Sequence, residues 1–321
     1  MKAPATRPFD LQGHRGARGL RPENTLAGFA HAIGLGVSAL ELDCGVTRDG
    51  VVVVAHDPRL NPDHTRDAQG RFLAAAGPPI WSLSHAELQQ YDVGRLRPGC
   101  ADALEFPAQV AVDGERIPRL ADVLWLARER GRGRVRVNIE VKIFPEQPEL
   151  TMAPEPFARA LRQVVEETGT ADVAMIQSFD WRVVQAVQRL MPGLPTAALT
   201  DQQPGEDTVR IGRRPPSPWL GGLDPAHYGD SVPRLVEALK VEVWSPEYRD
   251  LDEARVRQAQ ALGLRVVPWT VNGSPDMRRM LDLGVDGMIT DRPDQLRALL
   301  EQRGLEVPPV PGRPAPDRRP S

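Results

Sequence analysis

Four short stretches hold the side chains best suited to chemistry: His14-Arg15-Gly16, Glu41-Leu42-Asp43, His56-Asp57 and Glu140-Val141-Lys142. Glu41 and Asp43 are two residues apart in a run that reads as a strand, so both point to the same face. Glu140, near the end of the next strand-like run, can converge on them. Three carboxylates with no cysteine or histidine among them are hard oxygen donors. Such a set suits one divalent cation, Mg2+ or Ca2+, better than zinc. The competing reading of the same spacing is an ion-pair network in which Arg15 and Lys142 neutralise the acids.

The chain has six histidines. His14 and His56 fall at strand ends, beside an arginine and an aspartate, where an imidazole can accept or donate a proton near neutral pH. His31, His64, His85 and His227 have no such frame and are expected to be structural. Arg15 can grip a phosphate with its planar guanidinium, and Lys142 adds a point charge. A cation, Arg15, Lys142 and two histidines around one cavity would serve an anionic phosphoester.

These residues need a scaffold that brings strand ends together. Strand-like runs recur at 10–13, 39–44, 134–141, 173–177, 195–199, 240–244, 265–269 and 285–289, with residues 51–55 as a further short segment. Amphipathic stretches alternate with them at 24–35, 119–130, 156–168, 180–190, 232–239, 252–262, 275–283 and 293–302, with apolar residues three and four apart. Asp180 and Ser274 read as helix caps. Gly36, Gly131, Gly169, Gly263 and Gly284 read as helix ends. Eight strand-then-helix units predict an α/β fold, a TIM (β/α)8 barrel, rather than an open doubly wound sheet. Such a barrel gathers functional groups at the C-terminal ends of its strands.

The rhythm breaks at 58–118, a Gly- and Pro-rich insertion whose most helical part is 82–88, and at 201–230. The expected organisation is a barrel over 9–303 with 58–118 as an inserted subdomain after the second strand, followed by a proline-rich, disordered tail at 304–321. With 40 basic and 43 acidic residues the net charge is -3, which gives no reason to expect nucleic acid as a partner. No apolar run reaches membrane-spanning length, so stable membrane insertion is not expected. Residues 1–9 lack the apolar core of a secretory signal, and Cys44 and Cys100 read as reduced thiols, so the expected setting is cytoplasmic, or periplasmic or secreted if a signal peptide has been removed. The oligomeric state is left open.

The sequence resembles the glycerophosphodiester phosphodiesterase family. The resemblance is carried, in order, by His14-Arg15-Gly16, Pro22-Glu23-Asn24-Thr25, Glu41-Leu42-Asp43, Thr47-Arg48-Asp49-Gly50, His56-Asp57-Pro58, Glu140-Val141-Lys142, Gln177-Ser178-Phe179, Trp269-Thr270-Val271-Asn272, Asp286-Gly287, and Thr290-Asp291 with Pro293. It implies a TIM barrel, metal ligation by Glu41, Asp43 and Glu140, catalysis by His14 and His56, and phosphate contacts from Arg15 and Lys142. It also implies an insertion over the barrel mouth. The expected reaction splits a small-molecule glycerophosphodiester into sn-glycerol 3-phosphate and an alcohol. His14 is taken as base and His56 as acid, although the reverse uses the same geometry. Trp269 would cover the glycerol or simply pack in the barrel. A long-chain lipid substrate would require an apolar lip, for which the insertion offers Phe72, Leu73, Ile80 and Trp81. A non-catalytic phosphoester-binding protein is the remaining alternative.

Overall fold

The computed structural model describes residues 8–310. Along the chain run β1 (Asp10–Gly13), α1 (Leu26–Leu35), β2 (Ala39–Val46), β3 (Val52–Val54), α2 (His85–Leu88), α3 (Ala101–Glu105), α4 (Leu120–Gly131) and β4 (Arg136–Val141). Then come α5 (Pro154–Thr168), β5 (Ala174–Ser178), α6 (Trp181–Leu190), β6 (Thr196–Thr200), α7 (Val232–Ala238), β7 (Val243–Pro246), α8 (Glu253–Ala261), β8 (Arg265–Val266), α9 (Ser274–Leu283), β9 (Gly287–Thr290) and α10 (Pro293–Gln302).

Eight of the strands are parallel, in the order β8-β7-β6-β5-β4-β2-β1-β9. Backbone bonds from Asp286 to Val266, Ile289 to Pro268 and Val271 to Ile289, at 2.9–3.0 Å, join the outer strands and complete a TIM barrel. The short run at 51–55 is β3, which folds back antiparallel on β2 with Cys44 opposite Val54. β8 is shorter than its apolar run because Pro268 has no N–H to donate. Pairing with β7 resumes through Val267 and Trp269, which donate to the carbonyls of Trp244 and Pro246.

Helix ends follow the sequence with two exceptions. Asp180 caps α6 by accepting from Arg182 N, and Gly36, Gly169 and Gly284 take left-handed conformations after their helices. Gly131 instead lies inside α4, and Arg132 makes the left-handed turn at φ 52°. A Cβ on Gly131 would sit 2.8 Å from Val135, so its missing side chain serves packing. Ser274 is the first residue of α9 and Gly273 its cap.

The helices bury their apolar faces around the sheet, with Phe29, Phe157, Trp181 and Trp244 fully inside; each side chain of that size contributes roughly 1.5–3 kcal/mol. Inside the barrel the two halves differ. Met175, Ala197, Val243, Val267 and Ile289 form an apolar cluster. Across from them Asn138 donates to Gln12 and Gln177 at 2.9 Å each, and Gln177 donates to Glu41 at 3.0 Å. A rail of amides therefore runs beneath one edge of the strand ends.

Residues 58–118 hold α2, α3 and a 3-10 turn, Ile80–Ser82, around a second apolar cluster of Val53, Leu60, Ile80, Leu88 and Ile117. Of the four residues offered for an apolar lip, Phe72, Leu73 and Trp81 are partly exposed and Ile80 is buried. Ile80 is buried in that cluster, Trp81 packs against the main core, and Arg97 lies over the Phe72 ring. Among the described residues no helix is long and apolar enough to cross a membrane. Of the tail, residues 305–310 run without regular secondary structure and Pro308 O accepts from Arg297 at 2.7 Å. Residues 311–321 lie outside the described residues.

Candidate active site

Register places the acids. Because β2 and β4 are parallel with Asp43 opposite Glu140 and Glu41 opposite Asn138, all three carboxylates face inward at the top of the barrel. One oxygen from each of Glu41, Asp43 and Glu140 lies within 4.8 Å of the others, and all three residues are buried. Asp43 Oδ1 accepts no hydrogen bond, its nearest cation being Lys142 Nζ at 3.2 Å. Three buried oxygens at such spacing, one without a hydrogen bond, fit a hard divalent cation.

The surrounding cations and amides hold this cradle. Arg15 Nε lies 3.2 Å from Asp43 Oδ2, and Lys142 Nζ lies 2.7 Å from Glu140 Oε1. Asn24 donates to Asp43 Oδ2 at 3.0 Å, and the Arg15 backbone N–H donates to Glu41 Oε2 at 3.0 Å. The ion pairs and the oxygen cradle thus coexist. The electrostatics sort the three acids. Burial, with Asp43 and Glu140 beside it, pushes Glu41 well up. Burial also pushes Glu140 up to about 7, despite Lys142. At Asp43 burial is outweighed by Lys142 and Arg15, and the carboxyl stays far below its usual range.

Arg15 sits in a turn that depends on glycine. Its own φ is +48°, that of Gly16 is +89°, and a Cβ on Gly13 would lie 2.0 Å from the Gly16 carbonyl oxygen. That tight turn after β1 directs the backbone N–H of Arg15 toward Glu41.

Each predicted histidine has an aspartate behind it. His14 Nδ1 lies 2.6 Å from Asp291 Oδ1, and Asn272 donates to the other oxygen of Asp291 at 2.6 Å. His14 Nε2 therefore faces the acids, 3.9 Å from Glu41 Oε2. His56 Nδ1 lies 2.7 Å from Asp57 Oδ1, and Asn61 donates to Asp57 Oδ2 at 2.7 Å. Burial, reinforced by Lys142 and Arg15, pushes His56 down to about 4, so its ring is neutral at pH 7. An imidazole held at Nδ1 presents Nε2 for proton transfer.

His14, Arg15, Glu41, His56, Glu140 and Lys142 all line one open cavity of about 510 Å3, together with Trp269. Asp43 lies buried at its floor through Lys142 and Arg15. Trp269 lines the cavity, packs on the apolar barrel interior and donates to Ser245 O at 2.9 Å.

His64 corrects the sequence reading. It is framed by two carboxylates, Asp102 Oδ2 at 2.5 Å and Glu23 Oε1 at 3.6 Å. Glu23 also holds Arg15 at 3.0 Å, and Arg18 bridges Glu23 and Asp102. Asp102 is 38 residues from His64, so no local spacing reveals the pair. Asp291, Asn272, Asp57 and Gln177 were visible as motif residues, but only the fold shows which group each supports.

Known proteins share this fold. A crystal structure of a putative glycerophosphoryl diester phosphodiesterase from Silicibacter pomeroyi is 34% identical, with a TM-score of 0.82, and the match covers 94% of this chain and 95% of that one. A phosphodiesterase from Oleispira antarctica, solved with the product sn-glycerol-3-phosphate, shares the fold at 21% identity and a TM-score of 0.66, covering 90% of this chain and 96% of that one. The glycerophosphodiester phosphodiesterase of Caldanaerobacter subterraneus is 28% identical over 91% of this chain and 97% of its own length. The model of the glycerophosphoryl diester phosphodiesterase family matches residues 14–295, nearly the whole described barrel, and the chain belongs to that family of enzymes.

Proposed function

We propose that the chain hydrolyses glycerophosphodiesters to sn-glycerol 3-phosphate and an alcohol, using one divalent cation and two histidines. The observation that carries this reading is the convergence of His14, His56, Arg15, Lys142 and a buried three-carboxylate cradle on a single cavity. Glu41, Asp43 and Glu140 would hold Mg2+ or Ca2+, which supplies Lewis-acid stabilisation of the phosphodiester oxygens. Arg15 and Lys142 hold the anionic phosphate and stabilise the charge that grows on its equatorial oxygens.

His14, fixed by Asp291, accepts a proton at Nε2 from the nucleophile, either water or the substrate's own glycerol hydroxyl; in the second case water then opens the cyclic phosphate so formed to give sn-glycerol 3-phosphate. His56, held by Asp57, delivers a proton from Nε2 to the departing alcohol oxygen. Burial, with Lys142 and Arg15, keeps it neutral against Asp43 and Asp57; an anionic phosphodiester beside it would favour its protonated form. Trp269 covers the glycerol carbons. Residues 58–118 brace Arg15 through His64, which Asp102 holds against Glu23, and none of them lines the cavity. The product carried by the Oleispira relative is the one this reading expects.

The decisive assay incubates the purified, metal-loaded chain with glycerophosphocholine and measures release of choline and glycerol 3-phosphate. Lysophosphatidylcholine serves as the lipid comparison. Hydrolysis of the water-soluble diester, lost in chelator and restored by Mg2+ or Ca2+, supports the reading. No release from any glycerophosphodiester overturns it.

A further inference from the structure

The cavity is larger than the phosphate chemistry requires. Beyond the histidines and acids it continues over the ends of β5 and β6, onto the loop that follows Thr200. Its walls there are Phe179, Trp219, Trp269, Asp201, Glu206 and Asp207. The three rings form a chain of edge-on contacts: Phe179 to Trp269 at 5.4 Å and 88°, and Phe179 to Trp219 at 6.4 Å and 81°.

This end of the cavity is short of positive charge. Asp201, Glu206, Asp207 and Glu146 face it, with Arg210 as the opposing cation. Arg210 is itself spoken for, bound to Glu146 at 2.8 Å. Asp201 is only 7% exposed, yet among the described residues it forms no ion pair; the Gln203 N–H donates to it at 2.7 Å, and the charges around it are Asp250, Glu247 and Glu206, with Arg249, which Glu247 holds at 2.7 Å. No arginine or lysine among the described residues stacks on Phe179, Trp219 or Trp269, although three other rings carry an arginine. Aromatic rings with no cation stacked on them, beside a carboxylate without an ion pair, are the arrangement that attracts an organic cation.

The two ends of the cavity thus differ in the cations they offer: Arg15 and Lys142 stand among the acids at one, whereas Arg210 at the other is held by Glu146. One is built for an anion, with Arg15 and Lys142; the other, two strands round the barrel from β4, is built for a cation. We propose that this second half is a leaving-group subsite for a cationic amino-alcohol, in which Trp219 and Phe179 enclose a quaternary or primary ammonium and Asp201 opposes its charge. The proposal rests on the phosphodiesterase reading and narrows it to zwitterionic substrates, in which a two-carbon spacer separates phosphate from ammonium. Neutral head groups such as glycerol find no cation partner there and forfeit that contact.

The test compares kcat/KM for glycerophosphocholine, glycerophosphoethanolamine and glycerophosphoglycerol, which share one half and differ in the leaving alcohol. Wild type is expected to favour the two cationic substrates by roughly tenfold, the scale of one desolvated cation–π contact with a carboxylate behind it. In Asp201→Asn and in Trp219→Leu that ratio should shrink to within about threefold, through KM for the cationic substrates. Tetramethylammonium chloride, used without mutation, should inhibit hydrolysis of glycerophosphoglycerol competitively, and equal sodium chloride should not. Equal kcat/KM for all three substrates in wild type, or a preference that survives both substitutions, overturns the subsite. Absence of hydrolysis of all three would instead overturn the phosphodiesterase reading itself, so the two failures are distinct.

Discussion

His64 Nε2 lies 2.5 Å from Asp102 Oδ2, and the same ring turns Nδ1 to within 3.6 Å of Glu23 Oε1. One imidazole therefore ties two separated parts of 58–118 to the turn after β1, where Glu23 holds Arg15. Burial would drive the proton off, but Glu23 and Asp102 outweigh it and push His64 up to about 10. The ring is a permanent cation at neutral pH, clamped between two anions.

Removing that cation should be costly. His64→Gln leaves the partly buried Glu23 and Asp102 with Arg15 and Arg18 as their cations and is expected to cost ~1.5–3 kcal/mol, the scale of a hydrogen bond to a charged group. The folded value lies above the ordinary histidine range, so the contribution is complete below pH ~6.5 and fades as pH climbs toward about 10. Denaturant titrations of both proteins should show a large stability gap at pH 6 that mostly closes near pH 10. A gap that is the same at both ends would rule out the charged clamp.

The oxygen cradle makes a prediction about protons. Glu140, pushed up to about 7 by burial and by Asp43, holds a proton below that pH in the metal-free chain. A cation must displace it, so affinity should fall as pH drops from 8 to 6, and calorimetry should detect proton release. Glu140→Gln should weaken binding by more than the ~10- to 100-fold expected for an outer partner. Affinity that ignores both pH and the substitution would return the three acids to a purely ion-paired role.

Asp291 should control the tautomer of His14. Burial opposes its ionisation, but His14 and the hydrogen bonds around it keep it a carboxylate. Asp291→Asn keeps the shape and loses the preference for a proton on Nδ1, so kcat should fall ~100- to 10,000-fold while metal affinity holds. Loss of metal binding in this variant would show that Asp291 supports the cradle instead.

The two histidines can be told apart by the leaving group. A general acid matters most when the alcohol is poor, and hardly at all for p-nitrophenolate. His56→Ala should lose ~100- to 10,000-fold on glycerophosphocholine and far less on a p-nitrophenyl phosphodiester. His14→Ala should lose similar rate on both substrates. The opposite pattern would exchange the roles.

Much of this site was legible in the chain because barrel strands obey a period of two. Glu41 and Asp43 had to share a face, and eight strand-then-helix units set which ends would meet. Boundaries moved for local reasons, as where Pro268 cuts β8 short. Long-range pairings were not legible. Asp291 stands 277 residues from His14, and Asp102 reaches His64 only through the folding of 58–118. The cation-seeking wall was hidden for another reason: 201–230 lacks periodicity, so nothing in its spacing announces that Asp201 and Trp219 join Phe179.

The pairing of Asp43 with Glu140 across β2 and β4 means that the site is written into the alignment of two neighbouring strands. A slip of one residue between them would turn Glu41 and Asp43 outward into the helices and bring Leu42 into the mouth. Molecules that misalign on the way to the native barrel cannot linger as active but loosened enzymes; they lose cation affinity in the same step that costs them their core. A cation held by the three acids would favour correctly aligned molecules, and refolding in its presence would then draw the population toward that alignment.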